Sequence, residues 1–205
     1  MSVPDTPSAA AGDTRRVSNW NLPNVLTIVR ILLAPLFVWM LLADAGRDGP
    51  LRWAAAVLFV IAIATDGVDG AIARRNNLVT DLGKLLDPIA DKVLTGGALI
   101  ALSVLGELPW WVTIVILLRE IGITVYRFVV IRQGVIAASR GGKIKTIVQS
   151  VAISSALFPL WTVFGDGMFW VNGMLMTAAV ILTVVTGFDY LWQAYRGRVE
   201  KRAAA

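Results

Sequence analysis

Six long apolar segments dominate the pattern of hydrophobic and polar positions along the chain. A helix needs about 20 mostly apolar residues to cross a bilayer, and each segment is close to that length. The connections near 44–52, 106–109 and 165–168 are short and contain Gly, Pro or Asp, as turns do. The pattern predicts an all-α integral membrane protein with six transmembrane helices. The predicted spans cover residues 25–43, 53–73, 85–105, 110–131, 147–164 and 169–192.

The composition agrees with a membrane protein. Of the 205 residues, 57% are hydrophobic and 16% are charged, whereas an average soluble domain has roughly 25% charged residues. Residues 1–14 are polar and rich in small side chains, which predicts a disordered leader and not a signal peptide. Residues 15–202 are predicted to form one membrane domain. It begins with a short interfacial segment, 15–24, which is either a helix at the headgroup level or an irregular linker.

Basic residues lie mainly at one end of the predicted spans. Thirteen Lys and Arg side chains lie at the ends that share a side with both termini, and Arg47 and Arg52 lie in the opposite connections. Because cytoplasmic loops are enriched in basic residues, we expect a multi-pass protein of the cell membrane with both termini in the cytoplasm. The positive charge therefore indicates orientation among membrane lipids and not a nucleic-acid partner.

Carboxylates are concentrated where the second and third predicted spans meet. Asp66 and Asp69 share one helical face of the second span, and Asp87 and Asp91 share a face of the third. The short connection predicts an antiparallel hairpin that brings these four side chains together on the cytoplasmic side. Asp66 is expected roughly 13 Å below the membrane edge, at 1.5 Å per helical residue.

These aspartates predict a metal site. Ionised carboxylates at that depth cost at least about 2.5–3.5 kcal/mol each, and neighbouring ones repel each other. The chain has no Cys and no His, which excludes disulfides, thiolate catalysis, a His base and most zinc sites. An all-oxygen ligand set is typical of Mg²⁺ or Mn²⁺, and four carboxylates suffice for two ions, as in phosphoryl transfer. The alternative is that the aspartates are helix caps and surface residues paired with nearby basic side chains.

Basic residues in the fourth and fifth spans predict an anion site. Arg119 lies midway along an apolar span, where a charge is functional by default, and Arg127 lies further along the same face. Pairing of Arg119 with Glu120 is disfavoured, because side chains at i and i+1 do not face each other on a helix. Lys143 and Lys145 precede the fifth span, where contact with lipid headgroups is the alternative.

The first span carries one further basic residue. Arg30 lies one to two turns into the helix, with Asn24 and Thr27 on its face. We expect this face to meet an anionic ligand that reaches the carboxylate site. The alternative is that Arg30 anchors the helix by extending its guanidinium to the interface.

The spacing Asp66-x2-Asp69-Gly70-x2-Ala73-Arg74-x8-Gly83-x3-Asp87-x3-Asp91 resembles the motif of the CDP-alcohol phosphatidyltransferases at every position. The segments "NLPNVLTIVRILLAP", "REIGITVYR" and "GGKIKTIVQS" resemble those of members that use glycerol 3-phosphate. The resemblance implies a six-helix membrane enzyme, usually a homodimer, that transfers the phosphatidyl group of CDP-diacylglycerol to sn-glycerol 3-phosphate and releases CMP. Inositol phosphate or another alcohol stays open as the acceptor, because the basic residues alone do not distinguish these substrates.

The resemblance also implies roles for single residues. Two Mg²⁺ or Mn²⁺ ions are expected on the four aspartates, and Asp91 is also expected to act as the general base. By the same resemblance, the residues expected to bind CDP-diacylglycerol are Asp69, Gly70, Ala73, Arg74 and Gly83. Asn24, Thr27 and Arg30 are expected to bind it as well, because of their position on the first span. Those expected to bind glycerol phosphate are Arg119, Arg127, Lys143 and Lys145.

A cation transporter that uses the acidic cluster is the alternative from another functional class. It accounts for the carboxylates, but it does not account for Arg74, Gly83 or the basic residues on other spans. Such a transporter is also expected to have matching broken helices in two repeats, and no such repeat is visible in the sequence.

Overall fold

The structure is a computed structural model that describes residues 21–75, 80–130 and 140–203. The predicted leader and most of the predicted interfacial segment lie outside the described residues. Every regular element in the described ranges is a helix. The helices are α1 (Leu22–Asp44), α2 (Pro50–Arg75), α3 (Asp81–Val104), α4 (Trp110–Val130), α5 (Arg140–Leu157), α6 (Trp161–Phe164) and α7 (Gly167–Ala203).

Three of these helices are long and apolar enough to cross a membrane. They are α1, the part of α2 that runs from Pro50 to Gly67, and the part of α7 that runs from Gly167 to Arg196. Large apolar side chains such as Trp39, Leu118 and Phe188 are exposed on the surface, as expected for a protein surrounded by lipid. The chain is thus an all-helical membrane protein. The helices α3, α4 and α5 carry charged side chains within their length, which lowers their apolar character.

The helix α1 lies between α2 and α3 and packs extensively against both. Phe37 of α1 and the α2 residues Ala55, Ala56 and Phe59 belong to one buried apolar cluster, in which the ring centroids of Phe37 and Phe59 are 5.4 Å apart. Direct contact between α2 and α3 is at most slight within the described ranges. The second and third predicted spans thus contact α1 far more than each other in the described ranges, and the contact of the aspartates across the expected hairpin stays a prediction.

The fifth predicted span, residues 147–164, also differs from the observed helices. The helix α5 begins earlier, at Arg140, and ends at Leu157, and α6 covers the last part of the predicted span. Pro159 accounts for the break, because proline has no N–H to donate and disfavours helical backbone at the preceding residue. The first four predicted spans coincide with α1–α4 within a few residues, and the last lies within α7.

A buried arginine ties the break in the fifth span to the rest of the fold. Arg52 of α2 donates to both carboxylate oxygens of Glu107, at 2.5 Å each, and to the carbonyl oxygens of Ala156 and Leu157 at 3.1 and 3.0 Å. Its guanidinium also lies over the ring of Trp161, 4.8 Å from the centroid. These contacts satisfy the carbonyl groups left at the end of α5. The arginine expected in an outer connection thus fixes the end of the molecule opposite the aspartates.

Candidate active site

The polar face of α1 contacts α2 through Arg30. This residue is 3% exposed, and it donates through Nη1 to Asp66 Oδ1 at 2.5 Å and through Nε to the carbonyl oxygen of Ala62 at 3.1 Å. The Asp66 side chain is 46% exposed. Arg30 therefore holds Asp66 in place through a charge-assisted hydrogen bond, and a direct contact of Arg30 with a ligand stays a prediction.

The same face of α1 contacts the start of α3. The Thr27 hydroxyl lies 2.9 Å from Asp87 Oδ1, and Asn24 donates through Nδ2 to Thr80 Oγ1 at 2.7 Å. Thr80 caps α3 by accepting the N–H of Gly83 at 3.0 Å. A Cβ at position 83 would lie 2.6 Å from Asn24 Oδ1, so only glycine allows this close approach of α1 to α3.

Side chains of α1 contact two of the aspartates expected to bind metal, one on α2 and one on α3. Thr27 and Arg30 lie one turn apart on α1 and contact Asp87 of α3 and Asp66 of α2, respectively. Asp91 lies one turn beyond Asp87 on α3. The side chains of the other α2 residues of the motif lie outside the described part of the structure, although their backbone belongs to α2. These residues are Asp69, Gly70, Ala73 and Arg74.

The donor set of these aspartates suits hard divalent ions. Asp66 and Asp91 are 46% and 37% exposed at their side chains, and Asp87 is exposed as well. Their oxygens can thus be reached by a hydrated ion, and oxygen is the ligand that Mg²⁺ and Mn²⁺ prefer. No group of three such side chains forms a metal cluster among the residues that the structure describes. That statement does not cover Asp69, the fourth aspartate of the expected set, because its side chain lies outside the described residues.

Four charged side chains from three helices form a second feature, here called the Glu120 cluster: Lys92 of α3, Arg119 and Glu120 of α4, and Lys145 of α5. Glu120 Oε1 accepts hydrogen bonds from Arg119 Nη1 at 2.9 Å and from Lys145 Nζ, and its Oε2 accepts one from Lys92 Nζ at 2.6 Å. Lys92 Nζ also lies 2.6 Å from Asp91 Oδ2. The cluster is therefore joined directly to Asp91.

The pairing of Arg119 with Glu120 corrects an expectation from helix geometry. The two residues are adjacent in sequence, yet their side chains meet at 2.9 Å. Both side chains are long, and Lys92 and Lys145 draw the carboxylate to the same place. The rule that adjacent side chains diverge holds near the helix axis, but it fails at the ends of long, flexible side chains.

The other basic residues expected at the acceptor site have different surroundings. Lys145 is 3% exposed and belongs to the Glu120 cluster, whereas Lys143 is exposed on α5 and belongs to no ion pair shown for the described residues. The structure thus separates these two lysines, which lie two positions apart on a helix. The side chain of Arg127 lies outside the described residues, so its role stays a prediction.

The helix α7 supports Arg119 from the other side. Arg119 Nη2 donates to Thr186 Oγ1 at 2.9 Å. A Cβ at Gly187 would lie 3.2 Å from Arg119 Cγ, so the missing side chain leaves room for the arginine. Thr186 and Gly187 have no signal in the sequence, because both are common packing residues in apolar helices. Glu120 had a signal, since a carboxylate within an apolar span deserves the same attention as Arg119.

The arrangement combines carboxylates with a cationic cluster. Lys92, Arg119 and Lys145 carry three positive charges, and Glu120 and Asp91 carry two negative ones. The group is therefore suited to an anion next to the carboxylate of Asp91. Such a site can bind a phosphorylated molecule and accept a proton from it.

Comparison with known proteins gives a consistent family. The profile of the CDP-alcohol phosphatidyltransferase family matches residues 20–185. A protein of Mycobacterium tuberculosis (strain CDC 1551 / Oshkosh) named "Probable phosphatidylglycerophosphate synthase" is 48% identical over 177 residues, which cover 86% of this chain and 82% of the relative.

Two further relatives carry the name "CDP-diacylglycerol--glycerol-3-phosphate 3-phosphatidyltransferase". The protein of Bacillus subtilis (strain 168) is 43% identical over 196 residues, covering 86% of this chain and 98% of the relative. The protein of Escherichia coli (strain K12) is 35% identical over 184 residues, covering 84% of this chain and 93% of the relative. With the family profile spanning most of the chain, these similarities show that the protein belongs to the CDP-alcohol phosphatidyltransferase family.

Proposed function

We propose that the protein transfers the phosphatidyl group of CDP-diacylglycerol to sn-glycerol 3-phosphate, giving phosphatidylglycerophosphate and CMP. The names and the 35–48% identity of its relatives support this reaction. The observation that carries the proposal is the position of Lys92. Its Nζ lies 2.6 Å from Asp91 Oδ2 and 2.6 Å from Glu120 Oε2. Through this ammonium, a carboxylate suited to act as a base lies next to a cluster suited to bind the phosphate of the acceptor.

The acceptor hydroxyl attacks the phosphorus that carries the diacylglycerol. The new bond joins this phosphorus to the acceptor oxygen, and the bond between the phosphorus and the bridging oxygen of the diphosphate breaks. The electron pair leaves with CMP. Asp91 takes the proton of the attacking hydroxyl, which requires hydrogen-bond reach to that oxygen. Arg119 and Lys145 orient the acceptor by binding its phosphate with charge-assisted hydrogen bonds.

The donor is expected at the aspartates that α1 contacts. Asp66, Asp69, Asp87 and Asp91 would hold two divalent ions, Mg²⁺ or Mn²⁺. Bound there, such ions supply neutralisation of the diphosphate and stabilisation of the leaving group. Arg30 keeps Asp66 at this site and Thr27 keeps Asp87 there, as their hydrogen bonds support. The CDP part is assigned to the motif residues of α2 and to Gly83.

The membrane arrangement is part of the proposal. We infer six spans, in which α1, α2, α3, α4, the α5–α6 pair and α7 each cross the cell membrane, with both termini and the active site in the cytoplasm. The distribution of basic residues supports this orientation. A lipid donor and a water-soluble acceptor can meet only in a site open to both phases. The enzyme is further proposed to be a homodimer, as its family resemblance implies.

Release of CMP by the purified protein in detergent tests the reaction. CDP-diacylglycerol and Mg²⁺ are supplied with glycerol 3-phosphate, inositol 1-phosphate, inositol or serine, one at a time. We expect CMP only with glycerol 3-phosphate, and we expect EDTA to abolish its release. Release with a different acceptor would overturn the assigned acceptor and keep the chemistry. The absence of release with all four acceptors would overturn the proposed reaction.

A further inference from the structure

Glu120 is a buried carboxylate surrounded by cations from three helices. It is 5% exposed, and its two oxygens accept hydrogen bonds from Lys92, Arg119 and Lys145. Buried carboxylates need a partner, but one bidentate arginine or one lysine with a further donor is sufficient. Three cationic partners on one carboxylate indicate that the carboxylate gathers the cations, in addition to being neutralised by them.

We propose that Glu120 is a positioning residue for the acceptor. It holds Arg119, Lys145 and Lys92 together, so that they bind the acceptor phosphate at a place from which the acceptor hydroxyl reaches Asp91. This inference rests on the proposed function. It assigns Glu120 no contact with a substrate and no part in proton transfer. Its effect acts through the cations that it holds.

The physical need for such a residue follows from charge and flexibility. Arg119 Nη1 and Lys145 Nζ donate to the same oxygen, Glu120 Oε1. Without the carboxylate, two cations this close would repel each other, and their long side chains would regain rotamer freedom by moving apart. Glu120 cancels one of three positive charges and Asp91 a second, so the group keeps one net positive charge with which to attract a phosphate.

Lys92 also fixes the position of the Glu120 cluster relative to Asp91. Lys92 Nζ lies 2.6 Å from Glu120 Oε2 and 2.6 Å from Asp91 Oδ2. On the far side, Thr186 accepts a hydrogen bond from Arg119, and Gly187 leaves space for its side chain. Arg119 is thus fixed by Glu120 and by α7, and the distance from the phosphate site to the base is set by one lysine.

The alternative is that Glu120 only ties α3, α4 and α5 together as part of the fold. The two roles differ in what they change. A structural role affects the stability of the protein and both substrates alike, because every part of the site depends on the fold. A positioning role affects the Michaelis constant for glycerol 3-phosphate and leaves that for CDP-diacylglycerol near its normal value.

The test is steady-state kinetics of E120Q and E120D in detergent, with each substrate varied in turn. The matched control is E107Q, which makes the same change in a carboxylate that binds Arg52 at the opposite end of the molecule. Losing a charged hydrogen-bond partner typically weakens an interaction about tenfold or more. We expect E120Q to raise the acceptor KM by about tenfold or more, with the donor KM changed by less than about twofold.

The other two variants complete the pattern. We expect E120D, which keeps the charge on a shorter side chain, to raise the acceptor KM by roughly threefold or more, but less than E120Q does. E107Q should lower the unfolding temperature and leave the acceptor KM unchanged. An unchanged acceptor KM in E120Q, or equal rises in both KM values, would overturn the inference.

The outcomes separate this inference from the proposed function. A wild-type protein that releases no CMP with glycerol 3-phosphate overturns the proposed function and with it this inference. An active wild-type protein whose E120Q variant keeps its acceptor KM overturns the inference alone. If E120Q does not accumulate as folded protein, E120D decides: a raised acceptor KM supports the positioning role, and an unchanged one rejects it.

Discussion

Asp91 lies between the two halves of the site. Its side chain is 37% exposed, and its one described ion pair is with Lys92, which belongs to the Glu120 cluster. Asp87, one turn earlier on α3, is instead contacted by Thr27 of α1. The two aspartates share a helix face, but their partners differ: Asp87 is contacted by Thr27 of α1, and Asp91 by Lys92, which also binds Glu120. This difference supports giving the proton-accepting role to Asp91.

The first prediction concerns Asp91→Asn. The amide keeps the shape of the side chain and removes its ability to accept a proton, so turnover should fall by roughly 10²–10⁴-fold, the usual contribution of a general base. Binding of CDP-diacylglycerol in the presence of Mg²⁺ should stay measurable. CMP release gives turnover, and equilibrium binding of the labelled donor gives the second quantity.

The control for this change is Asp166→Asn, in the exposed turn before α7. It makes the same chemical change far from the site and should leave turnover unaffected. Turnover of Asp91→Asn close to that of the wild-type protein would refute the assignment of the base.

At this scale, the sequence predicts which residues are polar within apolar helices, but not how they pair. The spacing of Asp66, Asp87 and Asp91 places them at one end of two helices. Their partners come from other helices at large sequence separation, such as Arg30 for Asp66. Helix geometry alone disfavours pairing of Glu120 with Arg119, because side chains at i and i+1 diverge. The role of Glu120 depends on Lys92 and Lys145, whose approach is decided by helix packing.

At the scale of elements, α1 decides the geometry of the aspartates. It lies between α2 and α3, and its first turns carry the side chains that contact both. The approach of α1 to α3 depends on Gly83, where an added Cβ would lie 2.6 Å from Asn24 Oδ1. Glycine in the first turn of a helix is otherwise unfavourable compared with alanine. The close contact of two helices is one reason for glycine at this position, in addition to the contact with the donor that we propose.

The second prediction is therefore that Gly83→Ala destabilises the protein despite the better helix propensity of alanine. Overpacking of this kind costs about 1–3 kcal/mol. The clash should move the start of α1 away from α3 and disturb the contact between Thr27 and Asp87, so activity should fall as well. Thermal unfolding in detergent and CMP release measure the two effects.

Two further variants test the cause. Gly173→Ala in α7 has nothing within 4 Å of the added Cβ, so it should leave stability unchanged or slightly higher. Asn24→Ala combined with Gly83→Ala removes the clashing oxygen and should recover part of the lost stability. Fully additive losses in the double variant would contradict the proposed clash.

The boundaries of most helices follow from the apolar pattern. Which helices pack against each other does not. The apolar pattern gives α1–α4 within a few residues, because each ends near a polar connection. The predicted span 147–164 runs across Pro159, where the structure has the break between α5 and α6. The order in which helices pack depends on shapes such as the small residues of α2, and no local pattern contains that information.

At the scale of the whole molecule, the number of crossings decides where the termini lie. Only α1, α2 and α7 are apolar enough to be identified as spans by composition within the described ranges. The charged residues of the proposed site account for the weaker signal of α3, α4 and α5. If only three helices crossed the membrane, the two termini would lie on opposite sides. If six crossed, both termini would lie on the same side.

The last prediction uses the absence of cysteine from the chain, which makes every introduced thiol unique. Asp166→Cys places a thiol in the exposed turn between α6 and α7, and Lys201→Cys places one near the end of α7. With six spans and a cytoplasmic N-terminus, a membrane-impermeant maleimide should label position 166 in intact cells and position 201 only after lysis. With three spans and the same N-terminus, α7 would cross in the opposite direction, and the two labelling patterns would be exchanged. The unsubstituted protein is the blank in both experiments. The two topologies predict opposite results at both positions. The exchanged pattern would therefore contradict both the cytoplasmic C-terminus and the six-span arrangement.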